Sequence, residues 1–205
     1  MGANAMTTYE IEPDLELWIP VPRSFPEDSW DTAEQWAQDL AEIAIPEDPD
    51  LRQVYQQMAL DVANNQVAEA EHTLWYSPED GHAMGTAHLM VLDDDPEKSL
   101  AELAMPGYES ATPIQSSEYQ SDSVGQILQL TAVIAMEVPS EDDGSAVMPA
   151  VGHVRTAARS HGLLFLLEAY DAELSTLGFM MDPMIDFFEA VTFVDDELDS
   201  EMDEN

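Results

Sequence analysis

Two spacings of apolar residues organise the chain. Ala33, Trp36, Ala37, Leu40, Ile43 and Ala44 recur at the three-to-four-residue interval of a helix that faces a core. Asp28 or Ser29 is placed to cap that helix, Asp31 and Glu34 fall where its dipole favours anions, and Pro46 ends it. A second helix is predicted from Asp48 as N-cap and Pro49 as first helical residue to Asn64-Asn65. Its apolar face is Leu51, Val54, Tyr55, Met58 and Val62. One compact connector joins the two helices, so they are expected to lie as a pair on one face of a sheet.

Strand patterns surround this pair. Glu16 to Val21 reads as a short strand closed by Pro20 and Pro22. Ala70 to Tyr76 and Met84 to Leu92 flank Ser77-Pro78-Glu79-Asp80-Gly81, which predicts a hairpin. Both parities of these strands are apolar. Leu74, Tyr76, Met90 and Leu92 are assigned to one face, and Trp75, Ala87, Leu89 and Val91 to the other, so the sheet is expected to be covered on both sides. A loop at Asp93-Asp94-Asp95-Pro96 leads to a short helix over Glu97 to Ala104. The polar stretch Pro106 to Ser123 reads as a loop carrying a strand around Ile114 to Tyr119, followed by a strong strand from Gln126 to Glu137 and a solvated turn at Glu141-Asp142-Asp143-Gly144. A second hairpin joins Val147 to Ala158 and Leu163 to Tyr170 through Ser160-His161-Gly162. The last helix is predicted from Asp182 as cap and Pro183 as first residue, with Met184, Ile185, Phe188 and Val191 inward. Strands joined by tight turns make an α+β fold with a mostly antiparallel sheet and helices packed on it. Residues 1–194 are read as one domain, and residues 195–205, nearly all acidic, as a disordered tail.

Charge changes the picture more than any other property. The chain carries 43 Asp plus Glu against 5 Lys plus Arg, a formal net charge of −38. Such a field repels nucleic acid and anionic membranes and attracts basic proteins. The expected partner is therefore a basic protein, with no direct nucleic-acid or membrane binding. A hydrophobic content of 45% is that of a globular domain rather than of an acidic disordered chain. Lys98 is the single lysine, a depletion that also fits adaptation to high salt. There is no cysteine, which excludes disulfides, thiolate catalysis and cysteine-ligated metals. The N-terminal residues form no secretory signal, and the longest apolar runs, Leu163 to Leu167 and Thr131 to Met136, are too short to span a bilayer. A cytoplasmic location is expected.

Few residues suggest chemistry. With Tyr76 paired to Met84, His72 would lie opposite His88, and two imidazoles about 5 Å apart could share a metal. No third ligand accompanies them, so neither a metal nor a cofactor is expected. Asp93, Asp95 and Glu97 begin like a calcium loop, but its glycine and final glutamate positions hold Lys98 and Ala104. His153, Arg155, Arg159 and His161 form the one basic island. It reads either as a clamp for a carboxylate or phosphate or as an internal sink for the protein's own acids. No phosphate loop, dinucleotide fingerprint, nucleophile elbow or zinc-protease motif is present.

In the order of its elements the chain resembles the PsbP-like α/β/α sandwich. The likeness is carried at the start by Leu17-Trp18-Ile19-Pro20 through Trp30. At the end it is carried by an apolar strand over Leu163 to Ala169, a helix at Met184 to Phe188 and a short strand at Val191 to Val194. It covers about half the chain, and the paired helices from Trp30 to Asn65 depart from the family pattern. The resemblance implies protein binding more often than catalysis. The expected function is a non-enzymatic acidic module of adaptor, immunity or secretion-accessory type that engages a basic partner. The alternatives are a nucleic-acid mimic that inhibits a DNA-binding protein, a domain acidic only through salt adaptation, and an enzyme with a pocket near His72, His88, His153 and Arg155.

Overall fold

The computed structural model describes residues 8–79, 82–135, 138–139, 146–147 and 150–194. The elements run β1 (Thr8–Ile11), β2 (Trp18–Val21), α1 (Ala33–Ala44), α2 (Pro49–Asn64), β3 (His72–Tyr76), β4 (Thr86–Asp93) and α3 (Leu100–Ala104). They continue with β5 (Gln115–Ser121), β6 (Gly125–Ala135), the short β7 (Val138–Pro139) and β8 (Ala146–Val147), β9 (Ala150–Ser160), β10 (Leu163–Asp171), α4 (Leu174–Asp186), a 3-10 turn (Phe187–Ala190) and β11 (Val191–Val194). Seven strands form one antiparallel sheet in the order β2-β3-β4-β10-β9-β6-β5. The fold is α+β, as the turn-linked strand pattern predicts. The turn at 141–144 and the tail at 195–205 lie outside the described residues.

Both faces of the sheet are covered because both parities of the inner strands are apolar. On one face Leu74, Ala87, Leu89, Val154, Phe165 and Leu167 pack under Leu177, Met180 and Met184 of α4 and Phe187 and Phe188 of the 3-10 turn. On the other face α1 and α2 bury Trp36, Ala41, Tyr55 and Ala59 against Val21 and Trp75. On that same face α3 seats Leu100 and Ala104 on Leu128, Leu130, Leu164 and Leu166. The β3–β4 register places Leu74 opposite Ala87 and Trp75 opposite Thr86. That is one residue from the predicted pairing. Leu74 and Tyr76 therefore share a face with Ala87 and Leu89, while Met90 belongs with Trp75 on the other. A one-residue slip reverses every side chain of a strand, and the turn composition alone did not set the slip.

Helix ends follow local chemistry with two exceptions. Asp48 caps α2 by accepting from the backbone N–H groups of Asp50 and Leu51, with Pro49 at the first helical position, as predicted. The cap of α1 is Thr32, which accepts from Gln35 N, rather than Asp28 or Ser29. Asp28 instead sits at φ 47° in a turn closed by the Glu27–Trp30 bridge. Helix α4 begins at Leu174, about two turns before the predicted cap, and Pro183 lies inside it. Burial of Leu177, Met180 and Met184 on one stripe holds the helix through a residue that intrinsically costs about 3 kcal/mol. Strand β1, which the sequence pattern did not predict, pairs with β11. The β9–β10 hairpin closes on His161 at φ 52° and Gly162 at φ 80°, two left-handed residues that match the strand twist.

Candidate functional site

The register of four adjacent strands sets one polar residue beside the next across the face that carries α1, α2 and α3. Thr73 lies opposite His88, His88 opposite Glu168, and Glu168 opposite Arg155. This row runs between the apolar cluster under α1–α2 and the cluster under α3. Thr73 Oγ1 and His88 Nδ1 are 3.1 Å apart. Arg155 donates through Nε to Glu168 Oε1, and its Nη2 forms an ion pair with the same oxygen. Tyr170 donates to Glu168 Oε2 at 2.9 Å. One pair further along, His153 stacks on Tyr170 at 4.2 Å and 7°, and its Nδ1 is bonded to the Tyr108 hydroxyl. His153 Nε2 stands 3.7 Å from Glu168 Oε1, beyond hydrogen-bond length.

His153 is 2% exposed and Glu168 6%. Burial is the largest influence on the Glu168 carboxyl and would raise it. His153, Arg155 and Tyr170 together outweigh burial and hold it below its ordinary value. Burial pushes His88 down, against the pull of the Glu168 carboxylate. Burial pushes Tyr108 up to about 12, and it raises Tyr170, with Glu168 adding to the rise. At neutral pH the row is thus an ionised carboxylate matched by a guanidinium, with both phenols protonated.

The residues singled out in the sequence part company here. His88, His153 and Arg155 converge on Glu168. His72 pairs with Leu89 and projects to the opposite face beside Glu71, so the shared His72–His88 site does not form. His161 occupies the β9–β10 turn and stacks on Phe193 at 4.0 Å. Arg159 donates to the Lys98 carbonyl at 2.8 Å and faces Asp94 at 3.6 Å. No cluster of three or more metal-ligating side chains occurs among the described residues. Sequence reading missed Glu168, Tyr108 and Tyr170. Glu168 had a signal, being the one charge within the apolar run Leu163 to Ala169. Tyr108 had none.

The arginines and the lysine are all engaged by the protein itself. Arg155 also donates to the carbonyl of Ala104 at 2.8 Å, at the C-terminus of α3. Arg52 donates to the carbonyls of Ile45, at 2.8 Å, and Pro46, where α1 ends. Arg23 donates to Val67 O at 3.0 Å and Ala68 O at 3.2 Å, beyond the end of α2. Lys98 pairs with Asp95 at 3.0 Å. A cation at a helix C-terminus satisfies carbonyls that lack an intrahelical donor and opposes the dipole there. Each of the four arginines thus fastens a loop or a helix end, Arg155 under cover and Arg23 and Arg159 at the surface.

That surface has an apolar interruption. Helix α2 is rolled so that Tyr55 and Ala59 are buried and Val62 of the predicted face is half-buried against the same cluster. Leu51 (49% exposed), Val54 (55%) and Met58 (39%) face outward, contrary to the inward face predicted for them. Val54 and Met58 line a shallow groove with Asp50, Gln53 and Gln57. Met58 also borders a cleft of about 280 Å³ that continues to Met84, Thr86, Tyr170 and Asp171.

No family model matches the chain, and no curated protein matches it. Among solved structures it is similar to LpqN, involved in cell envelope biogenesis of Mycobacterium tuberculosis. The identity is 15% over 95% of this chain and 87% of that one, with a TM-score of 0.38. Among the described residues no helix is long and apolar enough to cross a membrane.

Proposed function

We propose that the chain is a non-enzymatic binding module whose acidic surface engages a basic protein. One observation carries the reading: 43 acids stand against five basic residues, of which Arg155 is paired with the buried Glu168, so the surface keeps a large acidic excess. The Glu168 row fits an internal anchor rather than a reaction centre, since its carboxylate and guanidinium are engaged with each other. The resemblance of the sequence to the PsbP-like pattern, whose members bind proteins more often than they catalyse, supports binding over catalysis. Electrostatic complementarity would act mainly on association rate and partner choice.

The test is capture of the tagged protein's partners from its host's lysate, washed at low and at high salt. A stoichiometric basic protein that is lost at high salt supports the module. If that protein binds DNA and duplex DNA releases it, the module works as a nucleic-acid mimic. If nothing specific is captured at either salt, the acid coat is adaptation to a saline environment, the reading to which the single lysine points.

A further inference from the structure

We propose that the groove along the outward half of α2 is the docking site for a cationic amphipathic helical segment of the partner. This rests on the binding-module reading and assigns it a place. Val54 and Met58 form the apolar part of the groove, between Gln53 and Gln57, and Met58 also borders the cleft lined by Met84 and Tyr170. The rim is acidic, with Asp50 at one end and Asp61 and Asp171 at the other.

Charge selects the occupant. A second copy of the chain would bring a further formal charge of −38 to an acidic rim, and nucleic acid would meet the same repulsion. A segment with an apolar stripe flanked by Lys or Arg satisfies floor and rim together. Methionine side chains suit a floor that must accept varied apolar anchors. From Asp50 to Met58 the groove runs eight residues of helix, about 12 Å at 1.5 Å per residue, before the Tyr170 cleft extends it. Two to three turns of a partner helix would lie along it.

The probe is a fluorescent Leu/Lys peptide of about 14 residues with its leucines on one helical stripe, compared with a scrambled peptide of equal composition. Binding is read by anisotropy at low and at high salt. The stripe peptide should bind wild type at least tenfold more tightly than the scramble. Val54→Glu and Met58→Glu should each reduce its affinity at least tenfold, while Ile43→Glu, on exposed α1 outside the groove, should leave it unchanged. Each substitution adds a negative charge, so a purely electrostatic association predicts equal or tighter binding, and a loss at the groove alone identifies apolar docking. Equal binding of stripe and scramble, or equal behaviour of the three variants, overturns the groove and leaves the acidic-module reading standing. If neither peptide binds wild type at low salt, that wider reading fails with it.

Discussion

Glu168 is the residue on which the covered face turns. Its carboxylate binds Arg155 and the half-exposed Tyr170 and faces the buried His153. Removing one member of a buried pair leaves the other charge uncompensated, which typically costs about 3–5 kcal/mol. Glu168→Gln should therefore lose about 3 kcal/mol at pH 7, read by urea unfolding. The pH dependence has a definite sign. A carboxyl held below its ordinary 4.5 contributes stability above that value and loses it as the pH falls through the folded value. The gap between wild type and Glu168→Gln should hold at neutral pH and close below about pH 4.5. A gap that stays constant down to about pH 3 would show that the carboxylate's charge is irrelevant. At this scale the sequence exposed the parity shared by His153, Arg155 and Arg159, because strand alternation is a local property. It did not expose which acid met them, because that pairing depends on a register set by the neighbouring strand.

At the scale of elements, α4 shows why close approach matters. A Cβ built on Gly152 would come 2.5 Å from Leu174 Cδ2 and 2.6 Å from Leu177 Cδ1, so two leucine side chains of the helix, the Leu177 one buried, rest directly on bare backbone. Gly152→Ala should lower stability by about 1–3 kcal/mol, as overpacking does. Gly178, on the same helix, has open space within 4 Å of where an added methyl group would stand, and Gly178→Ala should raise stability by about 0.5–1 kcal/mol through helix propensity. Thermal unfolding of the two variants should move in opposite directions, and shifts of the same sign would contradict this packing. Element order was readable because Trp36 to Ile43 carries a helical period, whereas Leu163 to Tyr170 is a short apolar run bounded by a Ser160-His161-Gly162 turn, as in a strand covered on both faces. Element ends were less so. Asp182-Pro183 has the chemistry of a helix start, yet it lies in the last turns of α4, where burial of Met180 and Met184 overrides the local preference. Helix α2 carries the converse lesson, since its apolar period fixed the helix but not how far the helix would roll onto the sheet.

For the whole molecule the governing quantity is self-repulsion. With five basic residues against 43 acids, a chain of formal charge −38 repels itself across its surface. The Debye length falls from about 10 Å at 0.1 M salt to about 3 Å at 1 M. The melting temperature should accordingly rise with sodium chloride between about 0.05 and 1 M, by about 4 °C for each 1–2 kcal/mol of repulsion relieved. A flat or falling curve would place compensating charge that this fold does not provide. The scarcity of basic residues also governs proteolysis. A protease that cuts after Lys and Arg has five bonds available in 205 residues. Two of them follow Arg155 and Arg159 on β9, an interior strand paired on both sides. Arg155 is paired to both β6 and β10, whereas Arg159, beside the hairpin turn, is paired to β10 alone, so a trypsin fragment ending at Arg155 reports the opening of the sheet itself.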